Sequence, residues 1–174
     1  MFEMPIKTRP FININNLDFE HIEKGDLYAE KYASISAHIG AKQLSYSIAI
    51  VPAGKRSCPF HVHHINEEMF YILEGCGKLR FGENEYAIKA GDVIACPIGG
   101  KEMAHQIIND SNEDLKYFCL STNHDADICE YPDSGKFGVY SIFDNSKPNK
   151  TRRIKYLGRT QNSLDYWDGE DIGE

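Results

Sequence analysis

From residue 44 to 122 the chain alternates short apolar runs with clusters of Gly, Pro, Asn and Asp. The runs are LSYSIAIV (44–51), EMFYIL (68–73), KLRFG (78–82), EYAIK (85–89), DVIACP (92–97), HQIIN (105–109) and LKYFCLST (115–122). Between them stand the turn-rich breakers PAGK, EGCG, GEN, KAGD, PIGGKE and NDSNED. Strand-length runs with turns at such short intervals predict an all-β sandwich or barrel. Helical periodicity is weak throughout, and residues 17–32 are read as one short helix. Past residue 123, CEYPDSGKFGVYSIFD supplies a Pro-Asp-Ser-Gly turn and a further apolar segment. The basic KPNKTRRIKY (147–156) is read as a solvated strand face, and the acidic LDYWDGEDIGE (164–174) as a tail that neutralises it.

The 174 residues fit a single domain able to bury a sizeable core, here placed at about 35–122, with 123–174 as a C-terminal extension. Lys plus Arg is 19 and Asp plus Glu is 26, so 19 − 26 = −7. That balance argues against nucleic acid and against anionic membranes as partners. MFEMPIKTRP lacks an apolar signal core, and no apolar stretch reaches a membrane span of roughly 18 residues. Five cysteines without a CxxC pair point to reduced thiols and a cytoplasmic setting.

The densest chemistry lies in CPFHVHHINEEMFYILEG (58–75), with three histidines and two glutamates in eight positions. On a strand, residues two apart share a face, so His61 and His63 point together and His64 points away. Two imidazoles side by side on a rigid strand make half a metal site.

This stretch, with GDVIACPIGGKEMAHQIIN (91–109), resembles the paired motifs of the cupin superfamily, G-x5-H-x-H-x3,4-E-x6-G and G-x5-P-x-G-x2-H-x3-N. Gly54, His61, His63, Glu68 and Gly75 match the first; Gly91, Pro97, Gly99, His105 and Asn109 match the second. Two spacings depart: six residues separate Gly54 from His61, and five separate Gly99 from His105, enlarging the loop GGKEMA. The resemblance implies a cupin double-stranded β-helix, a jelly-roll barrel with N- and C-terminal extensions. It also implies one divalent metal held by His61, His63, Glu68 and His105, with His64 and Glu67 left outside. Zinc, manganese, iron and nickel all accept three imidazoles and a carboxylate, so the metal stays open.

Parity from Glu68 and His105 turns Phe70, Ile72 and Ile107 inward. A hairpin around EGCG, pairing residue 72 with 79, would turn Leu79 and Phe81 inward and Lys78 and Arg80 outward. The expected pocket for a small-molecule ligand is therefore largely apolar, with the metal at its base and GGKEMA near its mouth. Tyr46 could add a hydroxyl, and parity sets no second carboxylate or lysine beside the metal. Cupins with such a site include isomerases, dioxygenases, decarboxylases, hydrolases and proteins that only bind. The whole-chain pattern is similar to small bacterial cupins, some provisionally labelled sugar-phosphate isomerases. Three readings follow: a metal-dependent isomerase of a sugar or sugar phosphate, an Fe(II) dioxygenase, or a non-catalytic ligand-binding cupin. Lys55, Arg56 and Lys101 are the candidate phosphate-binding cations at the rim. The strand EMFYIL is apolar on both faces, so Met69, Tyr71 and Leu73 call for a cover: a second copy in a homodimer, or a terminal extension. Tyr166 and Trp167 in the tail are expected to anchor in an apolar groove.

Overall fold

The computed structural model describes residues 9–143 and 152–173. Its strands are β1 (Glu20–Lys24), β2 (Tyr28–Ser34), β3 (Leu44–Val51), β4 (Val62–His63), β5 (Glu68–Glu74), β6 (Cys76–Phe81) and β7 (Asn84–Lys89). They continue with β8 (Val93–Cys96), β9 (His105–Ile108), β10 (Leu115–Thr122), β11 (Ala126–Tyr131), β12 (Lys136–Phe143) and β13 (Arg152–Gly158). One short helix, α1 (Ser36–Ile39), leads into β3. Among the described residues these strands pair antiparallel with one another, in a six-stranded sheet β1-β2-β3-β10-β5-β8, a four-stranded sheet β13-β12-β11-β4 and a three-stranded sheet β7-β6-β9. The two smaller sheets meet where His61 and His105 exchange backbone bonds of 3.1 and 2.8 Å. This is the cupin double-stranded β-helix, all-β as the apolar runs predict.

Strand alternation builds two apolar layers on opposite faces of the large sheet. Ala49, Val51, Phe70, Ile72, Leu115 and Tyr117 face inward against Leu79, Ile88 and Ile107 of the small sheet. Ile48, with Ala33 and Ile35, faces outward beneath Leu17, Ile12 and Ile14 of the N-terminal segment. Ile48, Ile72 and Leu115 are fully buried, each contributing roughly 1.5–3 kcal/mol. β3 and β10 are thus apolar on both faces because the chain covers both.

Residues 17–32 are not a helix. β1 and β2 form a hairpin whose turn carries Gly25 at φ 58. The period-2 signal lies in Tyr28–Ser34: Ala29 and Ala33 are buried, while Glu30 and Tyr32 face the other way. Pairing of β2 with β3 outweighs the weak helical tendency of Glu, Lys and Ala.

Nor is EGCG a hairpin turn. β5 pairs with β10 and β8, and β6 with β7 and β9, so the chain crosses here from one sheet to the other. Gly75 makes the crossing at φ 83, where a Cβ would lie 2.4 Å from the Asp114 carbonyl oxygen. Parity along β6 nevertheless leaves Leu79 in the core and Lys78 and Arg80 outside. Lys78 meets Glu85 at 3.0 Å, and Arg80 forks onto Asp133 at 2.7 and 2.8 Å.

The predicted cover of β5 is mixed. Leu73 packs against the N-terminal cluster, whereas Tyr71 is 40% exposed. Tyr166 and Trp167 occupy no groove among the described residues; their rings meet edge to face, centroids 4.8 Å apart, and both stay exposed. The basic run is described only from residue 152, where β13 has an exposed face, and residues 147–151 lie outside the described residues.

Asn109 ends β9 wholly buried. Its side-chain amide donates to the Val51 and Glu113 carbonyls at 2.8 and 2.7 Å, and its oxygen accepts from Ser111 N–H and Oγ. Asn109→Ala strands these partners and should lower stability by about 2–4 kcal/mol. Urea unfolding checks this; an unchanged midpoint would remove Asn109 from the account.

Candidate metal centre

Three separate elements bring the histidines and Glu68 together. His61 and His63 flank Val62 at β4, His105 opens β9, and Glu68 opens β5 of the facing sheet. The Oε2 atom of Glu68 lies 3.0 Å from His105 Nε2 and 3.5 Å from the Nε2 atoms of both His61 and His63. His64 points away, its Nε2 2.7 Å from Glu130.

The other ring nitrogens fix which atom faces the centre. His61 Nδ1 donates to the Pro59 carbonyl at 2.9 Å, His63 Nδ1 to Asp127 at 2.5 Å, and His105 Nδ1 to the Met103 carbonyl at 3.3 Å. With Nδ1 committed to an oxygen acceptor, each ring turns its Nε2 toward the centre as the atom available to a metal. Separations of 3.0–3.5 Å from the Glu68 oxygen match the edges of a coordination polyhedron with bonds near 2.0–2.2 Å, and the ligand atoms of His61, Glu68 and His105 all lie within 4.8 Å of one another. The donor set fits a divalent cation.

Electrostatics point the same way. Burial would raise the pKa of Glu68, but its hydrogen bonds to His105 and His61 outweigh that and hold it well below the carboxylate range. Burial opposes charge on His61 too; the Cys58 sulfur, 3.7 Å from Nδ1, and Glu68 outweigh it and raise the pKa. The centre holds a carboxylate that demands positive charge nearby. A second group of close donors is His61, His63 and Cys129, whose ligand atoms lie within 4.8 Å of one another. Burial pushes the Cys129 thiol up.

Asp127 also belongs to the site, through His63, although no motif marks it in ADICEY. Besides His63 it accepts from the Ile65 N–H at 3.1 Å and from Asn66 Nδ2 at 2.9 Å.

The centre opens on a cavity of about 250 Å³. Phe70 and Ile107 line it, but Ile72 lies deeper in the core. Tyr46 is on the wrong face of β3: Ser45, Ser47 and Ala49 look into the cavity, and Tyr46 packs outside with Phe118, ring centroids 6.0 Å apart. The wall is also less apolar than expected. Ser57, Ser121 and Tyr32 add hydroxyls, and Glu30 adds a carboxylate. Glu30 and Tyr32 escaped notice because their strand reads as a helix. GGKEMA is absent from the lining and packs on the β6–β7 turn, where Gly82 N–H donates to Ala104 at 2.8 Å. Lys55, Arg56 and Lys101 do not line the cavity either; Lys55 Nζ donates to the Asp26 carbonyl at 2.6 Å.

The chain matches the cupin domain family over residues 47–121. It is 37% identical over 95 residues to the uncharacterized protein MJ1618 of Methanocaldococcus jannaschii, which covers 52% of this chain and 72% of that protein. The chain belongs to the cupin domain family. Among solved structures it is similar to an Acidithiobacillus ferrooxidans protein provisionally named a sugar phosphate isomerase. That match has a TM-score of 0.72 at 24% identity, over 87% of this chain and 91% of that one. A cupin-superfamily sugar phosphate isomerase from Silicibacter pomeroyi gives 0.72 at 17%, over 91% and 98%. A predicted oxalate decarboxylase from Thermotoga maritima gives 0.57 at 24%, over 66% and 99%. At these identities the likeness is one of fold.

Asp127 carries a pH signature. Burial raises its pKa, but the bonds from His63, Asn66 and Ile65 outweigh that and lower it below the ordinary value of 3.8. A lowered folded-state pKa contributes stability above that ordinary value and loses it as pH falls through the folded one. Asp127→Ala should therefore cost about 1–3 kcal/mol at pH 7 and progressively less below pH 3.8. Urea unfolding at both pH values reads the gap; a gap that widens on acidification contradicts the assignment.

Proposed function

We propose that the chain is a metal-dependent cupin enzyme that isomerises a small sugar, with one divalent ion held by His61, His63, Glu68 and His105. The observation that carries this is the convergence of three inward Nε2 atoms on one Glu68 oxygen. When bound, the ion would polarise a substrate carbonyl or hydroxyl. The chain's own residues do the rest. Asp127 orients His63, Pro59 and Met103 fix the other two rings, and the serine hydroxyls offer partners to a polyhydroxylated ligand.

An unphosphorylated sugar suits the cavity better than a sugar phosphate. No Lys or Arg lines it among the described residues, and a phosphate dianion needs such partners. An Fe(II) dioxygenase would use the same ligands but has no need of the hydroxylated wall, and a non-catalytic binder none of an ion-ready centre. Five free cysteines support a reducing, cytoplasmic setting, and no helix among the described residues is long and apolar enough to cross a membrane.

Elemental analysis of protein purified without chelator should find about one divalent ion per chain. His61→Ala, His63→Ala and His105→Ala should each lower that content at least tenfold, and His64→Ala should leave it unchanged. Loss of metal in His64→Ala alone would reverse the register.

The homodimer is proposed on the open end of the large sheet. β8 is its edge strand, and the cross-strand neighbours Tyr71 and Val93 are 40% and 68% exposed. A second copy would cover both. Light scattering should give twice the 19.8 kDa chain mass; the monomer mass rejects the dimer.

A further inference from the structure

Glu30 has no place in the metal centre, yet it faces the same cavity. β2 directs it inward beside Tyr32, into the space also lined by His61, Glu68 and His105. The cavity lining holds two carboxylates, and their surroundings differ. Glu68 is taken up by three imidazoles. No hydrogen bond or ion pair with a described residue reaches the Glu30 carboxylate, and its partner across β1 is Ile22. Glu30 is half-buried, and a carboxylate that faces a cavity without a protein partner is left for a ligand.

The neighbouring groups are poor proton carriers. Burial pushes the Tyr117 and Cys119 side chains far above their ordinary pKa values, leaving both neutral, and the Tyr117 hydroxyl already donates to Ser57 Oγ at 2.8 Å. Cys58 lies against His61 Nδ1. Burial raises the pKa of Glu30 above its ordinary value, the direction that suits a carboxyl group which must both take and return a proton.

We infer that Glu30 is the catalytic acid–base group of this cavity, moving the carbon-bound proton of the sugar. This rests on the isomerase reading above. Aldose–ketose isomerisation needs one proton carried from C2 to C1 and a second passed between the adjacent oxygens. The Glu30 carboxylate takes the C2 proton; the C–H electron pair becomes the C1–C2 double bond while the carbonyl π pair moves onto O1, giving an enediolate. The carboxylic acid then returns the proton to C1, while the O2 proton passes to O1 and the carbonyl reforms at C2. Atoms and electrons balance within the substrate, and no oxidant or reductant is needed. An ion held by His61, His63, Glu68 and His105 would supply polarisation of the substrate oxygens, and the carbon-bound proton would be left to Glu30.

The test compares the metal-loaded wild-type protein with Glu30→Gln and Glu30→Asp. The probes are D-xylose, D-ribose, D-glucose and D-mannose in D2O, with deuterium entry at C2 followed by proton NMR. Metal content and saturation-transfer contacts to the same sugars are read alongside. Glu30→Gln should lose exchange by roughly 10²-fold or more while keeping its metal and its sugar contacts, and Glu30→Asp should recover part of the rate. Exchange within threefold of wild type in Glu30→Gln overturns the role of Glu30 and leaves the isomerase standing. Loss of metal or sugar contacts in step with exchange in Glu30→Gln makes the residue structural and overturns it too. Wild-type protein that exchanges none of the four sugars removes the isomerase reading, and Glu30's role with it.

Discussion

A carboxylate that must stay ionised among three imidazoles organises this molecule. Glu68 is supplied by the large sheet and the histidines by the two smaller ones, so the centre exists only while the sheets stay stacked. A buried charge without a counter-charge costs several kcal/mol. The fold surrounds Glu68 with three Nε2 atoms that can hold a proton or a cation, and the opposite ring nitrogens are each held by an oxygen acceptor. The paired backbone bonds between His61 and His105 keep two of the rings in register. Gly75 lets the chain leave the Glu68 strand for the facing sheet without a Cβ striking the Asp114 carbonyl. Much of what is special in the sequence between 54 and 109 serves this one arrangement.

The parts legible in the sequence were those governed by local periodicity. Seven apolar runs between 44 and 122 coincide with β3 and β5–β10, and alternation alone separates His61 and His63 from His64. Alternation also sorted β6, although the sheet partners expected for it were wrong: a face follows from parity within one strand, whereas a partner depends on the path of the whole chain. The same limit explains β1 and β2. β2 is held by β3, which lies outside residues 17–32, and β1 pairs with β2 in turn. Asp127 was invisible for a similar reason, being brought to His63 by strand pairing across more than sixty residues.

Misreading β2 had a chemical consequence. With Glu30 and Tyr32 hidden in a supposed helix and Tyr46 turned the wrong way, the pocket looked apolar. The folded wall mixes Phe70 and Ile107 with serine hydroxyls and a lone carboxylate. Such a surface suits a ligand that presents hydroxyl groups along its length, and the absence of Lys and Arg from the described lining speaks against a phosphate tail. Membership of the cupin domain family provides the scaffold for this cavity, while the choice of chemistry lies in the side chains projecting into it.

The central claim is that one ion sits where Glu68 and the three Nε2 atoms meet. An anomalous-scattering crystal structure of metal-loaded protein, collected on either side of the metal's absorption edge, tests it most directly. The account predicts one peak bonded at about 2.0–2.2 Å to His61, His63 and His105 Nε2 and to a Glu68 oxygen. A peak shared by His61, His63 and Cys129 with Glu68 left unbound, or no peak among the histidines of fully loaded protein, would contradict it.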